Sequence, residues 1–340
     1  MSTDTDRDER DAEPAAGRIE PPGPDDGPRA PTDLAGRSWR TAIRRTLTEF
    51  RADNLSDVAA ALTYYAVLSI FPGLLVLVAV VGLLGDSTTT AIIDNLTRLT
   101  PGEVRDILTA ATEDLRAHQN SAGIVVGVGL LAALWSASSY VSAFMRAANT
   151  IYDVPEGRPI WKTLPLRLGV TVLAGVTLVA SLLMVVLTGR VAEQVGGVLG
   201  IESTVVTSWD IAKWPVLIVL VSLVFALLYW ASPNARLGGF RWISPGSVLA
   251  VVLWLVASGL FAVYAANFSS YSRTYGVLAS VIVFLVWLWL SNLALLLGAE
   301  LDAELERQRA AYAGHPENVE PYLQLRDSRN VPKAGSEGAG

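Results

Sequence analysis

Six stretches of the chain contain no charged residue, and they limit its possible folds more than any other feature. They cover Val58–Gly85, Ser121–Met145, Leu168–Gly189, Trp214–Ala235, Trp242–Ser272 and Thr274–Ala299. Each is long enough to cross the roughly 30 Å hydrocarbon core of a bilayer, which takes about 20 apolar helical residues. Helices of a water-soluble protein need a polar face every few residues. The sequence therefore predicts an all-α, polytopic membrane protein built as a bundle of six transmembrane helices.

The composition changes sharply on either side of this apolar region. Residues 1–36 carry ten acids, four arginines and six of the 17 prolines, so they cannot bury a core and are expected to be disordered. Residues 37–57 predict a basic amphipathic helix on the cytoplasmic surface. The transmembrane domain is expected over 58–300, followed by a C-terminal tail over 301–340 that is partly helical and then disordered. The six spans are expected at about 58–85, 121–145, 167–189, 213–232, 244–267 and 275–300.

The distribution of Lys and Arg predicts the orientation. With a cytoplasmic N-terminus, thirteen of these residues near the membrane ends lie inside and six lie outside, which is the bias of plasma-membrane proteins. Both termini are therefore expected in the cytoplasm. The expected partners are the lipid bilayer and, at the cytoplasmic face, anionic lipid contacted by the arginines of the 37–57 helix. A second copy of the chain and envelope proteins stay open as partners. The balanced charge beyond residue 36 gives no surface for nucleic acid.

The loop between the first two spans predicts an extracytoplasmic amphipathic helical hairpin. Thr100-Pro101-Gly102-Glu103 has the residues of a helix start, with Thr as N-cap, Pro in the first turn and Glu closing a capping box. Apolar residues from Val104 to Leu115 then recur at helical spacing. We expect this hairpin to lie on the membrane surface or to cap the bundle.

The polar residues within the spans are neutral, which disfavours a proton-coupled pump or a voltage sensor. They allow two interpretations. In one, they form hydrogen bonds between closely packed helices. In the other, they line a cavity for a neutral or amphiphilic substrate, with proline allowing the first span to bend. The candidate residues for the bundle interior or cavity are Thr63, Tyr64, Tyr65, Ser69, Pro72, Ser139, Tyr140, Asn267 and Asn292.

A dense group of carboxylates follows the sixth span, in the segment Gly298–Glu306. One interpretation is an ordinary amphipathic extension of the helix. The other is a latch in which an interfacial carboxylate pairs with a basic residue of another inner loop and holds the ends of the helices together. The candidate latch residues are Glu300, Asp302, Arg146, Arg236 and Arg241.

Four segments together resemble the YihY/BrkB family of integral membrane proteins: Ala59–Pro72, Asn149–Val154, Tyr271–Gly276 and Gly298–Ala303. The resemblance extends from about Trp39 to Glu306. It implies a six-helix plasma-membrane protein that has no established biochemical activity, with a historical "ribonuclease BN" label and, in one branch, a link to serum resistance. Where relatives often have Asn after the GAEL sequence, this chain has Asp302, so a role that needs a neutral amide there does not carry over.

The residues do not predict an enzyme. RNA hydrolysis needs a general acid and base, or a metal held by clustered carboxylates and histidines. The two histidines, His118 and His315, are expected on opposite sides of the membrane, and the chain has no cysteine. No nucleotide-binding or metalloprotease motif is present in the sequence. We expect no catalytic residues, no metal site and no cofactor.

Three functions remain open. The first is transport or lipid handling of an uncharged or amphiphilic substrate, in a cavity between spans one, two, five and six. The second is a non-catalytic membrane scaffold in envelope assembly. The third and weakest is a membrane-associated ribonuclease, as in the historical family label.

Overall fold

A computed structural model describes residues 20–82, 122–186, 203–268 and 272–331. The protein is all-helical over these ranges, apart from one isolated β-bridge. The seven α-helices described are α1 (Gly36–Ala52), α2 (Leu55–Gly82), α3 (Ala122–Ile151), α4 (Ile160–Val186), α5 (Ser203–Ala231), α6 (Phe240–Phe268) and α7 (Ser272–Tyr312). The predicted all-α class is thus confirmed. The predicted hairpin lies outside the described residues.

Four of these helices are long and apolar enough to cross a membrane, over Ile160–Val185, Ile211–Ala231, Pro245–Tyr264 and Val281–Tyr312. Their side chains support the same conclusion, because Val176, Val219 and Leu260 are 61%, 63% and 68% exposed. Water would make such apolar surface unfavourable, whereas lipid chains would cover it. A multi-pass membrane protein is confirmed. Six spans remain a prediction, since the residues described give four.

The six long helices form a closed ring. Each of α2 to α7 packs against its neighbour in the sequence, and α7 returns to pack against α2. Across the ring, α3 also contacts α5 and α7. This arrangement brings α2, α3 and α7 together on one side.

One end of the ring carries a folded polar layer. We call it the charged end: α1, α7 from Glu300 onward, and the segments 20–35, 152–159, 232–239 and 313–331. Helix α1 packs Ala42 against Leu301 and Leu305 of α7, while Ile43 and Leu47 on its other side are 52% and 56% exposed. The last segment, through residue 331, packs Tyr322 and Leu323 into the main core. On the sequence-based orientation, this end would lie in the cytoplasm.

Candidate functional site

The last three turns of α7 are buried, although they are the most charged part of the helix. Six charged side chains are at most 3% exposed: Glu300, Asp302, Glu304, Glu306, Arg307 and Arg309. A buried charge is costly unless it is paired or hydrogen-bonded. The contacts of these residues therefore determine how the charged end is held together.

Ion pairs and hydrogen bonds connect α7 to three other parts of the chain. Arg45 of α1 donates to Glu304 at 2.7 Å, and Arg307 donates to Asp153, which follows α3, at 2.5 Å. Arg309 pairs with Glu306 at 2.6 Å and also donates to the carbonyls of residues 23, 24 and 26. One helix end thus binds α1, the residue after α3 and the N-terminal segment. Arg45, expected at the lipid surface, contributes instead to this internal network.

Asp153 is the partly exposed partner of Arg307, with 33% of its side chain accessible. Burial raises the pKa of Asp153 to about 6, Glu320 adds to the rise, and Arg307 opposes it. Burial is the largest cause of this rise, and Arg307 offsets it only in part because Arg307 also lies within 4 Å of Glu304 and Glu320. Asp153 has a positive φ of 50°, a conformation that Asp tolerates better than most residues.

Helices α6 and α7 touch through two glycines. A Cβ added to Gly246 would lie 2.1 Å from the carbonyl oxygen of Gly298, and a Cβ on Gly298 would lie 2.4 Å from the carbonyl oxygen of Gly246. Only glycine allows two backbones to approach this closely. The Gly246 N–H donates to Asp302 Oδ1 at 2.6 Å, and the Tyr229 hydroxyl donates to the Leu295 carbonyl at 2.6 Å. The glycine of the GAEL sequence therefore fixes where α6 crosses α7.

A second polar layer joins the loops after α3 and α5 to the C-terminal segment. The side chain of Asn149 donates to Glu156 and accepts from the backbone N–H of Asn234. The Asn234 side chain donates to the Asp327 carbonyl at 2.8 Å, and Lys162 pairs with the Asp327 carboxylate at 2.6 Å. These contacts make residues 313–331 part of the folded domain.

Among the described side chains, the predicted latch residues do not contact one another. Glu300 is 1% exposed and Asp302 bonds to Gly246, whereas Arg146 donates to Ser142 of its own helix and Arg236 is exposed. The side chain of Arg241 lies outside the described residues. Among the described residues, no Lys or Arg pairs with Glu300. The described ion pairs of the α7 end run through Arg45, Arg307 and Arg309 instead.

Three of the predicted interior residues form one hydrogen-bonded chain. The Tyr140 hydroxyl of α3 donates to Asn292 of α7 at 2.8 Å, Asn292 donates to Thr63 of α2 at 3.0 Å, and Thr63 donates to the Ala59 carbonyl. Asn292 precedes Glu300 by eight residues, roughly 12 Å along a helix. That depth lies within the roughly 15 Å half-thickness of a bilayer core. The Tyr140 hydroxyl, the Asn292 amide and the Thr63 hydroxyl thus each donate to an acceptor inside the bundle.

An open groove of about 420 Å³ lies beside this chain, between α2 and α7. Tyr64 is 61% exposed at its edge, and its ring meets that of Tyr65 edge to face at 5.5 Å. The wall is apolar except for Thr63 and the Tyr64 hydroxyl. The lining residues are Ala60, Thr63, Tyr64, Val67, Leu285, Val286 and Trp289.

The remaining predicted interior residues lie elsewhere. Ser69 donates to the Tyr65 carbonyl and Ser139 to the Trp135 carbonyl, so both hydroxyls satisfy their own helices. Helix α2 continues through Pro72 to Gly82. The side chains of Pro72 and Asn267 lie outside the described residues.

Sequence reasoning missed several residues of the charged end. Gly246, Asn234, Asp153, Arg307 and Asp327 were not candidates, because each acts through a partner distant in the sequence. The Asn149–Val154 segment was singled out by the family resemblance without a role; it contributes Asn149 and Asp153. In the described part of the chain, no three His, Asp or Glu side chains are placed to hold a metal ion.

Comparison with known proteins identifies relatives over most of the chain. A family model described as virulence factor BrkB matches residues 46–322. The ribonuclease-like protein YfkH of Bacillus subtilis (strain 168) is 29% identical over 251 residues, which are 74% of this chain and 90% of that protein. A UPF0761 membrane protein of Chromohalobacter salexigens is 32% identical over 295 residues, 82% of this chain and 68% of its own. UPF0761 membrane protein IL2447 of Idiomarina loihiensis is 29% identical, covering 79% and 94%. No solved structure matches the chain.

Proposed function

The chain belongs to the BrkB family of membrane proteins, and from this premise we propose that it handles an uncharged or amphiphilic, lipid-like substrate within the bilayer. The substrate binds in the α2–α7 groove, entering sideways from the lipid. One observation carries the proposal: an open, apolar groove of about 420 Å³ lies directly beside the uncharged hydrogen-bonded chain of Tyr140, Asn292 and Thr63.

The chemistry of the groove favours such a substrate over an ion. A charged group at this depth would need a buried counter-charge or water, and the groove lining contains no ionisable group apart from the Tyr64 phenol. Ligand sites are mostly apolar with a few placed polar groups, and here Thr63 and Tyr64 supply them. The groove size is also within the range of small-ligand pockets.

Groove filling tests the proposal. Val67→Trp places a large ring in the groove, and Leu260→Trp, on an exposed face of α6, is the matched control. Purified protein in liposomes is exposed to a photoactivatable diacyl lipid, and the crosslinked peptides are mapped by mass spectrometry. We expect crosslinks concentrated on residues 60–67 and 285–289, lost in Val67→Trp and kept in Leu260→Trp. Crosslinks spread evenly over the lipid-facing helices would refute the groove.

Transport is tested separately from binding. Proteoliposomes carrying a fluorescent phospholipid in both leaflets are treated with an impermeant quencher. We expect loss of the protected inner-leaflet signal with the wild type and with Leu260→Trp, and its persistence with Val67→Trp. If the inner-leaflet signal also persists with the wild type, the protein binds lipid without transporting it.

The second candidate is a membrane scaffold, favoured by the folded charged end. Hydrogen bonds and an ion pair hold residues 20–35 and 313–331 against α7, which builds a folded surface beyond the bilayer. Pull-down of envelope proteins that is abolished by surface substitutions there, with no effect of Val67→Trp, would favour this function.

We do not extend RNA hydrolysis to this chain. The ribonuclease wording belongs to the name of one relative. Of the two histidines, the described one, His315, contacts the Val319 carbonyl through Nε2 at 3.0 Å, and no acid or metal-ligand cluster accompanies it in the described segments.

A further inference from the structure

A second groove, of about 340 Å³, lies between α3 and α4 near the charged end. It differs from the α2–α7 groove in carrying two arginines. Its lining residues are Trp135, Ser142, Met145, Arg146, Glu156, Ile160, Thr163, Leu164 and Arg167.

Both arginines have N–H groups for which the described residues provide no acceptor. Arg146 is exposed and makes one hydrogen bond, to Ser142 at 3.1 Å. The Nε of Arg167 is buried without an acceptor. In the described ranges neither guanidinium pairs with a carboxylate. A guanidinium without a carboxylate partner favours an acceptor supplied by a ligand.

Glu156 is the one carboxylate among the lining residues. Other side chains already donate hydrogen bonds to both of its oxygens. Arg158 donates to its two oxygens at 2.7 and 2.8 Å, and Asn149 donates at 2.8 Å. Burial alone would raise the pKa of Glu156, but these hydrogen bonds outweigh it and lower the pKa. Its charge is thus balanced by Arg158, and the two groove arginines remain in excess.

The rest of the wall is apolar and faces outward. Ile160 and Trp135 are 81% and 66% exposed, and Leu164 is 39% exposed. The Arg167 guanidinium lies 5.5 Å from the centre of the Trp135 ring, within the range of a cation–π contact. Arg167 is seven residues into α4, roughly 10 Å along the helix. An arginine at the membrane edge beside an exposed tryptophan is typical of the headgroup level.

We propose that the α3–α4 groove binds the phosphate headgroup of an anionic phospholipid from the surrounding leaflet. Arg146 and Arg167 contact the phosphate oxygens, and planar guanidinium groups suit that geometry. Trp135, Ile160 and Leu164 contact the glycerol and the first acyl carbons. Since the groove opens onto apolar surface that lipid would cover, its ligand is a lipid phosphate and not a dissolved anion. The site is separate from the α2–α7 groove, and the inference does not depend on the proposed function.

Lipid binding to the purified protein tests the proposal. The full chain in detergent is titrated with phosphatidylglycerol or phosphatidylcholine, and bound lipid is counted by native mass spectrometry. Positive charge near a membrane surface contributes about fivefold per residue to the binding of anionic lipid. We expect Arg146→Gln and Arg167→Gln each to lower phosphatidylglycerol affinity about fivefold, and the double variant about twenty-fivefold. Phosphatidylcholine binding should change by less than about twofold.

Two further variants separate the site from general effects. Arg236→Gln removes an exposed arginine of the same end of the molecule and should leave phosphatidylglycerol affinity unchanged. The double lysine variant, Arg146→Lys with Arg167→Lys, keeps both charges and should bind within about threefold of the wild type. Unchanged phosphatidylcholine binding in the glutamine variants shows that their loss is not misfolding.

Three results would overturn the proposal. The first is equal phosphatidylglycerol affinity in the wild type and the double glutamine variant. The second is a loss in Arg236→Gln as large as in the groove variants. The third is complete displacement of phosphatidylglycerol by millimolar inorganic phosphate, which would assign the groove to a dissolved anion.

Discussion

Gly246→Ala is expected to destabilise the charged end strongly, because this residue sets the distance between α6 and α7. The added Cβ would lie 2.1 Å from the Gly298 carbonyl oxygen, 2.5 Å from Asp302 Cγ and 2.6 Å from Asp302 Oδ1. All three contacts are far shorter than van der Waals separation, and one is to backbone. The two helices must therefore move apart.

The expected cost has two parts. Overpacking a tight contact costs about 1–3 kcal/mol. Separation of the helices also breaks the 2.6 Å hydrogen bond from the Gly246 N–H to Asp302, and leaving a buried polar group unsatisfied costs about 1–3 kcal/mol. The sum is about 2–6 kcal/mol. At about 2–4 °C per kcal/mol, the Tm should fall by roughly 4–24 °C.

The assay is thermal unfolding of the purified protein in detergent, followed by the loss of the monodisperse peak in size-exclusion chromatography. Gly259→Ala is the control, because it lies on the same helix and an added Cβ would meet nothing within 4 Å. There the substitution should raise stability by up to about 1 kcal/mol through helix propensity. Equal Tm values for the two variants would refute the close α6–α7 crossing.

Three other substitutions test separate parts of the structure. Asn292→Leu breaks the hydrogen bonds among Tyr140, Asn292 and Thr63 and should lower the free energy of unfolding in detergent by about 0.6–2 kcal/mol. Ser222→Ala, on an exposed face of α5, should lower it by less. Equal losses would contradict a structural role for these hydrogen bonds. The pKa of Asp153 is about 6 in the folded state, above its ordinary 3.8, so the folded state binds the proton more tightly and stability falls as pH rises from about 4 to 6. In Tm measurements across that range, Asp153→Asn should flatten this slope by on the order of 1 kcal/mol after solvent screening. An unchanged slope would rule out Asp153 as its source. Arg309→Gln leaves Glu306 buried without its ion-pair partner and should lower the free energy of unfolding by about 3–5 kcal/mol. It should also expose residues 20–34 to protease. A digestion pattern like that of the wild type would show that Arg309 does not hold this segment in place.

The candidate site shows how far sequence reasoning reaches. Thr63, Tyr140 and Asn292 were predicted as interior residues because polar groups inside an apolar helix must find partners. Their hydrogen bonds to one another required α2, α3 and α7 to be neighbours, which hydropathy cannot show. The ring supplies that arrangement, and with it the groove beside Tyr64.

The charged end shows where local reasoning stops. The carboxylates of Gly298–Glu306 were recognised as a dense polar feature, and Arg146, Arg236 and Arg241 were the obvious basic neighbours at the membrane edge. Two of the carboxylates pair locally, Glu304 with Arg307 and Glu306 with Arg309. The pairs that join this helix end to other parts of the chain, Glu304 with Arg45 and Arg307 with Asp153, each span more than a hundred positions in the sequence. Charge pairs form according to distance in space, and no periodicity along the chain encodes that distance.

The sequence by itself determined that this protein folds in a lipid bilayer and to which family it belongs. Charge-free stretches of more than 20 residues can satisfy their backbone groups in lipid only as helices, and the motifs from Ala59 to Ala303 identify the family. The tertiary structure decided what the remaining polar residues do. It buried the charged end of α7 under α1 and the terminal segments and closed α2 against α7 beside an open groove. It also left two arginines between α3 and α4 with no acidic partner among the described residues. Those outcomes depend on which helices become neighbours, and only packing fixes that.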